Sequence, residues 1–143
     1  MKLLMAIFIV VAGMAQAEPV RDVVTMTNAF RAKNGLPPLV ASPVLEAVAE
    51  VQGHDMAKRG FFGHKGSDGS TVGKRAKRKG YRYCVIAENI AKGQRSSGEV
   101  MASWVKSQGH RRNMLVKNLR EIGVIRAPGN IWVMVLGTRR GGC

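Results

Sequence analysis

The chain has 143 residues, with 23 Lys and Arg against 9 Asp and Glu, a formal charge of +14. That length suits one domain of ordinary size. The charge either serves solubility alone or favours an anionic partner: nucleic acid, anionic lipid head groups or acidic cell-envelope polymer.

The first 17 residues read as a secretory signal peptide rather than part of the fold. Lys2 gives a positive start, Leu3 to Val11 form an apolar run, and Ala15-Gln16-Ala17 places small residues at a cleavage site. The apolar run is too short to span a bilayer. Residues 18–143 are then expected as a single exported domain, periplasmic or extracellular after cleavage near Ala17. Export sets nucleic acid aside as a partner, and a monomer is expected.

Pro19 to Asn34 reads as a first helix. Val20, Val23, Val24, Thr27 and Phe30 keep helical spacing, and Gly35 stops it. Leu36-Pro37-Pro38-Leu39 is extended, because each proline disfavours helix for the residue before it. Ser42-Pro43 opens a second helix with Leu45, Val48, Ala49, Gln52 and Met56 on its buried side, ending at Gly60. His64 follows in a loop, and Gly66-Ser67-Asp68-Gly69 is a turn. Ser70 is placed to cap a short third helix, about Thr71 to Lys79. That helix carries Lys74, Arg75, Lys77, Arg78 and Lys79, with Arg82 just beyond, and is read as an anion patch or a solvated face.

Tyr83 to Ala87 is a predicted strand ending at Glu88-Asn89. Ser97 is expected to cap a fourth helix, from about Gly98 to Gln108, with Val100, Met101, Trp104 and Val105 as its apolar stripe. Gly109 is read as the helix stop, with His110 held directly after it. Glu121 to Ile125 and Ile131 to Leu136 pair as an antiparallel hairpin across the turn Ala127-Pro128-Gly129-Asn130. Helices first and paired strands last argue for an α+β fold, with helices packed on a small, mainly antiparallel sheet. Asn89 and Asn113 are expected to bond local backbone, and Trp104 to be core.

Cys84 and Cys143 both lie in the exported part, where two thiols usually pair. Such a bond would fasten the C-terminus by closing a loop of about 60 residues. An intermolecular bond through Cys143 is the alternative.

Four segments stand out together: Phe62-Gly63-His64, Ala87-Glu88-Asn89-Ile90-Ala91-Lys92-Gly93, the run from Trp104 through Ser107, Gly109-His110-Arg111 and Asn113 to Leu115, and Glu121-Ile122-Gly123-Val124. Their order and spacing resemble the CAP superfamily, or SCP domain, which includes cysteine-rich secretory, antigen 5 and pathogenesis-related proteins. The short bacterial secreted branch is most similar. The resemblance covers about Thr25 to Leu136. It implies an α-β-α sandwich with a central cleft lined by two His and two Glu, where a divalent metal can sit on the two His. His64, Glu88 and His110 fall on three of those positions. Ser107 stands where the second Glu is expected, so an acid/base scheme needing two carboxylates is in doubt.

Two neutral imidazoles and one carboxylate suit a divalent ion such as zinc with an open position for water. His64 and His110 would be the ligands, and Glu88 either a third ligand or the partner of a metal-bound water. A metal-free His–Glu–His hydrogen-bond network is the competing reading. Ser107 and His110 stand at i, i+3, but no Gly-x-Ser-x-Gly elbow accompanies them. The charge and the absent second carboxylate favour a non-enzymatic domain that binds a small or anionic ligand, lipid or envelope polymer, through the His/Glu cleft and a basic surface. A metal-assisted hydrolase of peptide or envelope material and a structural interaction module are the alternatives.

Overall fold

The structure is a computed structural model that describes residues 12–143. Most of the expected signal peptide, residues 1–11, lies outside the described residues. In chain order the elements are α1 (Ala12–Lys33), β1 (Val40–Ala41), α2 (Pro43–Arg59), α3 (Val72–Arg78), β2 (Tyr83–Lys92), α4 (Ser97–Lys106), α5 (Gln108–Met114), β3 (Glu121–Ala127) and β4 (Ile131–Arg139).

The four strands form one sheet in the order β1-β3-β4-β2. β3–β4 and β4–β2 are antiparallel, and the two-residue β1 runs parallel to β3. The sheet is therefore mixed but mainly antiparallel. β4 explains why Ile131 to Leu136 reads as an unbroken apolar run: the sheet is covered on both faces. Trp132, Met134 and Leu136 join one core cluster with Val23 of α1 and Trp104 of α4. Ile131, Val133 and Val135 join the other, with Leu45, Val48 and Met56 of α2 and Ala76 of α3. This is the expected α-β-α sandwich.

The sequence places α2 closely. Ser42 Oγ accepts from Leu45 N, Pro43 takes the first turn, and Gly60 ends the helix in the left-handed region at φ 68°. Other boundaries move. α1 begins at Ala12 rather than Pro19, because Ala12 to Glu18 is made mostly of good helix formers. Thr71, not Ser70, caps α3 by accepting from Lys74 N, while Ser70 is buried with its N–H on Asp68 Oδ1. Ser96, not Ser97, caps α4. Gly109 does not stop that helix. α4 ends at Lys106, Ser107 turns the chain in an extended conformation, and Gly109 and His110 lie in the first turn of α5.

β2 runs on through Glu88 to Lys92, so Glu88 is a mid-strand residue. Between Tyr83 and Val85 the register slips by one, leaving Cys84 as an extra residue in a bulge. The slip puts Tyr83 with Ile86 and Ile90 against the α2/α3 cluster, while Val85 and Ala87 face the other side. Exposed at the bulge, Cys84 meets Cys143 in an intramolecular disulfide with a sequence separation of 59. A Cys84→Ser/Cys143→Ser protein is expected to lose about 4 kcal/mol in the chain-entropy account. Urea unfolding beside the oxidised wild type checks it, and coincident midpoints would refute it.

Candidate functional site

β2 is an edge strand, and α4 and α5 cover its outer edge. Trp104 Nε1 donates to Ile90 O at 3.2 Å, and Asn113 Nδ2 donates to Glu88 O at 3.4 Å. Free strand groups left without such partners would invite another strand. Asn89 and Asn113 do not bond local backbone as expected. Asn113 Nδ2 donates to Asn89 Oδ1 at 2.9 Å, and Asn89 Nδ2 donates to His110 O at 3.1 Å. The two amides lock the first turn of α5, and with it His110, onto the strand that carries Glu88.

Glu88 is buried, and both of its oxygens are taken. Oε1 accepts from His64 Nδ1 at 2.9 Å, and Oε2 accepts from Arg75 Nη2 at 2.7 Å. Arg75 does not belong to the expected anion patch, because it is buried at 1% exposure. Its position explains this: Val72, Arg75 and Ala76 share one face of α3, and that face is turned to the core. Arg75 Nη1 also donates to Ser70 O and His64 O, which fastens the His64 loop from beneath. Gln52 of α2, fully buried, supports the same loop by donating Nε2 to Gly63 O at 2.7 Å. Arg78 leaves the patch as well, since it pairs with Asp68. Lys74, Lys77, Lys79 and Arg82 remain exposed.

A carboxylate only accepts, so His64 Nδ1 carries the proton and the neutral ring presents a lone pair at Nε2. His64 is more than half exposed, and its pKa is raised above 6.5, first by the hydrogen bond to Glu88. His110 is half-buried, with its Nδ1 buried and unpartnered. Its pKa is lowered below 6.5, chiefly by burial and then by the nearby charge of His64. The two rings are therefore pushed apart in titration, His64 upward and His110 downward.

The linkage signs are opposite. The raised His64 adds stability that is complete below its unfolded pKa and lost as the pH rises through its folded value. The lowered His110 costs stability as the pH falls below 6.5. In an NMR titration the His64 ring is expected to titrate above 6.5 and the His110 ring below it. Glu88→Gln should bring the His64 midpoint down; an unchanged His64 midpoint would refute the assignment.

Ser107 sits between α4 and α5 and makes no side-chain capping bond to α5. Glu121 lies elsewhere, accepting from Tyr81 Oη at 2.6 Å and pairing with Arg139. The donor set fits a divalent ion only in part. Two imidazoles are available, but the Glu88 oxygens are already held. Among the described residues no group of three or more His, Cys, Asp or Glu is arranged to hold a metal.

A four-stranded sheet between helical layers, with two histidines and a buried carboxylate gathered at one strand, defines a sandwich domain built around a polar cluster. The chain is 38% identical over 113 residues to the uncharacterized protein YkwD of Bacillus subtilis, covering 78% of this chain and 44% of that protein. Among solved structures it is similar to an extracellular protein containing a SCP domain from Bacillus anthracis, with TM-score 0.82, 23% identity, and coverage of 87% of this chain and 41% of that one. It is also similar to an outer surface protein from Borrelia burgdorferi, with TM-score 0.78, 21% identity, and coverage of 86% of this chain and 94% of that one. The chain belongs to the CAP family, the cysteine-rich secretory protein family, which it matches over residues 24–136. It spans less than half the length of the B. subtilis and B. anthracis proteins.

Proposed function

We propose that this CAP domain is an exported binding domain rather than an enzyme. Its His64–Glu88–His110 cluster takes a small ligand or a divalent ion such as zinc, and its basic surface meets anionic lipid or envelope polymer. The observation that carries the reading is that both Glu88 oxygens are occupied, by His64 and Arg75. With Ser107 in place of a second carboxylate, the cluster offers imidazole nitrogens but no free carboxylate base. Glu88 then acts as the group that orients a ligating histidine rather than as a third ligand. Export fits the N-terminus. A chain cut after Ala17 puts Pro19 in the first turn of α1, where its missing N–H costs nothing. Among the described residues no helix is long and apolar enough to cross a membrane.

Zinc titration by calorimetry tests the cluster. The wild-type protein is expected to bind one ion per chain. Glu88→Gln should weaken binding by about 10- to 100-fold, the usual effect of removing a group that orients a ligand. His64→Ala should weaken it at least as much. A His64→Ala protein that binds zinc like wild type would overturn the reading. Peptide or envelope hydrolysis that disappears in His110→Ala would favour the hydrolase instead.

A further inference from the structure

The basic residues regroup in the fold. Of the four cations on α3, Arg75 is spent on Glu88 and Arg78 on Asp68. Near the C-terminus, Arg139 pairs with Glu121 and lies over the Tyr81 ring. Lys77, Arg82 and Arg140 form no ion pair with a carboxylate among the described residues. These three line one cavity of about 430 Å³ together with Gly80 and Tyr83. Each comes from a different segment: Lys77 from α3, Arg82 from the entry to β2, and Arg140 from just past the end of β4.

The segments are fixed relative to one another. Arg140 N donates to Arg82 O at 2.8 Å, and Cys143, three residues on, is bonded to Cys84. Lys77 Nζ lies 5.8 Å from the centre of the Tyr83 ring. Tyr83 stands five residues before Glu88 on β2, at most about 17 Å at ~3.3 Å per residue, and none of the lining residues belongs to the cluster of His64, Glu88 and His110. The cavity is therefore separate from the histidine cluster.

We propose that this cavity binds a phosphate-bearing anion. Three unneutralised cations converging from separate segments suit a tetrahedral, multiply charged oxyanion better than a planar carboxylate. The two guanidinium groups supply paired N–H donors of the kind that grip phosphate oxygens. A volume of about 430 Å³ exceeds what bare phosphate fills and leaves room beside it for the organic part of a phosphate ester. The disulfide positions Arg140 for this task by holding the terminal turn. The proposal rests on the reading that the basic surface of this domain meets anions, and it names where.

The test is an amide NMR titration of the full chain with sodium pyrophosphate at low ionic strength. Saturable shifts are expected at Lys77 to Tyr83 and at Arg140. Arg82→Glu/Arg140→Glu should weaken binding at least about tenfold, a loss of about 1.4 kcal/mol. Arg111→Glu/Arg112→Glu changes charge equally at a different cavity and should weaken it less than about twofold. All four side chains lie on helix α5, at the entry to β2 or past the end of β4, none in the core clusters, and melting curves check that both proteins fold. If binding persists unchanged in Arg82→Glu/Arg140→Glu, or both double variants lose it equally, this site is refuted while anion binding stands. If pyrophosphate and phosphatidylglycerol vesicles both fail to bind the wild type, the underlying reading falls too. Phosphatidylglycerol vesicles compared with phosphatidylcholine ones then separate a lipid head group from a soluble phosphate as the source.

Discussion

Replacing Arg75 with methionine should lower the unfolding free energy by about 3–5 kcal/mol, an effect of the size that unfolds marginal domains. The side chain is buried at 1% and meets a carboxylate that is equally buried, at 2.7 Å. Methionine fills much of the volume but leaves Glu88 as a buried charge that has lost its strongest partner. The Ser70 and His64 carbonyls lose their donor in the same step. Removing both charges, as in Arg75→Met/Glu88→Leu, should recover much of the loss, because a buried pair is costly to break but often cheap to replace. Lys77→Met, two residues along the same helix and exposed, should stay within about 0.5 kcal/mol of wild type. Urea midpoints for the four proteins check the series. Equal losses at Arg75 and Lys77 would show that the buried pair contributes nothing particular.

The contrast also marks where the sequence stops being legible. A run of Lys and Arg reads as a solvated face because no local signal separates the one cation that turns inward. The only hint is that Arg75 shares a helical face with Val72 and Ala76. Its partner, thirteen residues away on a strand, cannot be found from spacing. Arg31 is similar: it sits in the first helix, fully buried, with its Nη1 on the carbonyls of Met114 and Val116. By contrast, α2, the β3–β4 hairpin and the Trp104 core were legible, because capping residues, turn residues and apolar periodicity are local. The three site positions came from motif resemblance, not periodicity. Tertiary structure also supplied the hydrogen bonds that bind them: Asn89 and Asn113 look like loop amides, yet they join a helix to a strand. The break at Ser107 was hidden because Gly109 fits a helix stop as easily as the first turn of a new helix.

Gly123→Ala should be the costliest added methyl among the described glycines, at about 3 kcal/mol or more, the upper end for overpacking. Gly123 faces α2 from the middle of β3. A Cβ there would lie 2.7 Å from Leu45 O, and closer still to the Leu45 carbonyl carbon and Glu46 N. Those are backbone atoms of the first turn of α2, so no rotamer relieves the collision and the helix itself must shift. Gly53→Ala, on the other side of the same helix–strand contact, is the control. Its Cβ meets first the Cδ1 of Ile125, the far end of a flexible side chain. A swing of Ile125 relieves that contact, and Ala127 Cβ at 3.3 Å must give by a few tenths of an ångström. The gain of about 1 kcal/mol from replacing a mid-helix glycine offsets part of the cost, so the Gly53→Ala protein should lose far less than Gly123→Ala. The difference reaches the histidine cluster because α2 also carries Gln52, whose Nε2 holds Gly63 O at the base of the His64 loop. Gly123→Ala should therefore move the His64 midpoint back toward 6.5 as its bond to Glu88 loosens, and Gly53→Ala should not. Denaturation midpoints and the His64 NMR titration measure both effects. A stable Gly123→Ala protein with an unmoved His64 would mean that α2 is not what holds that loop in place.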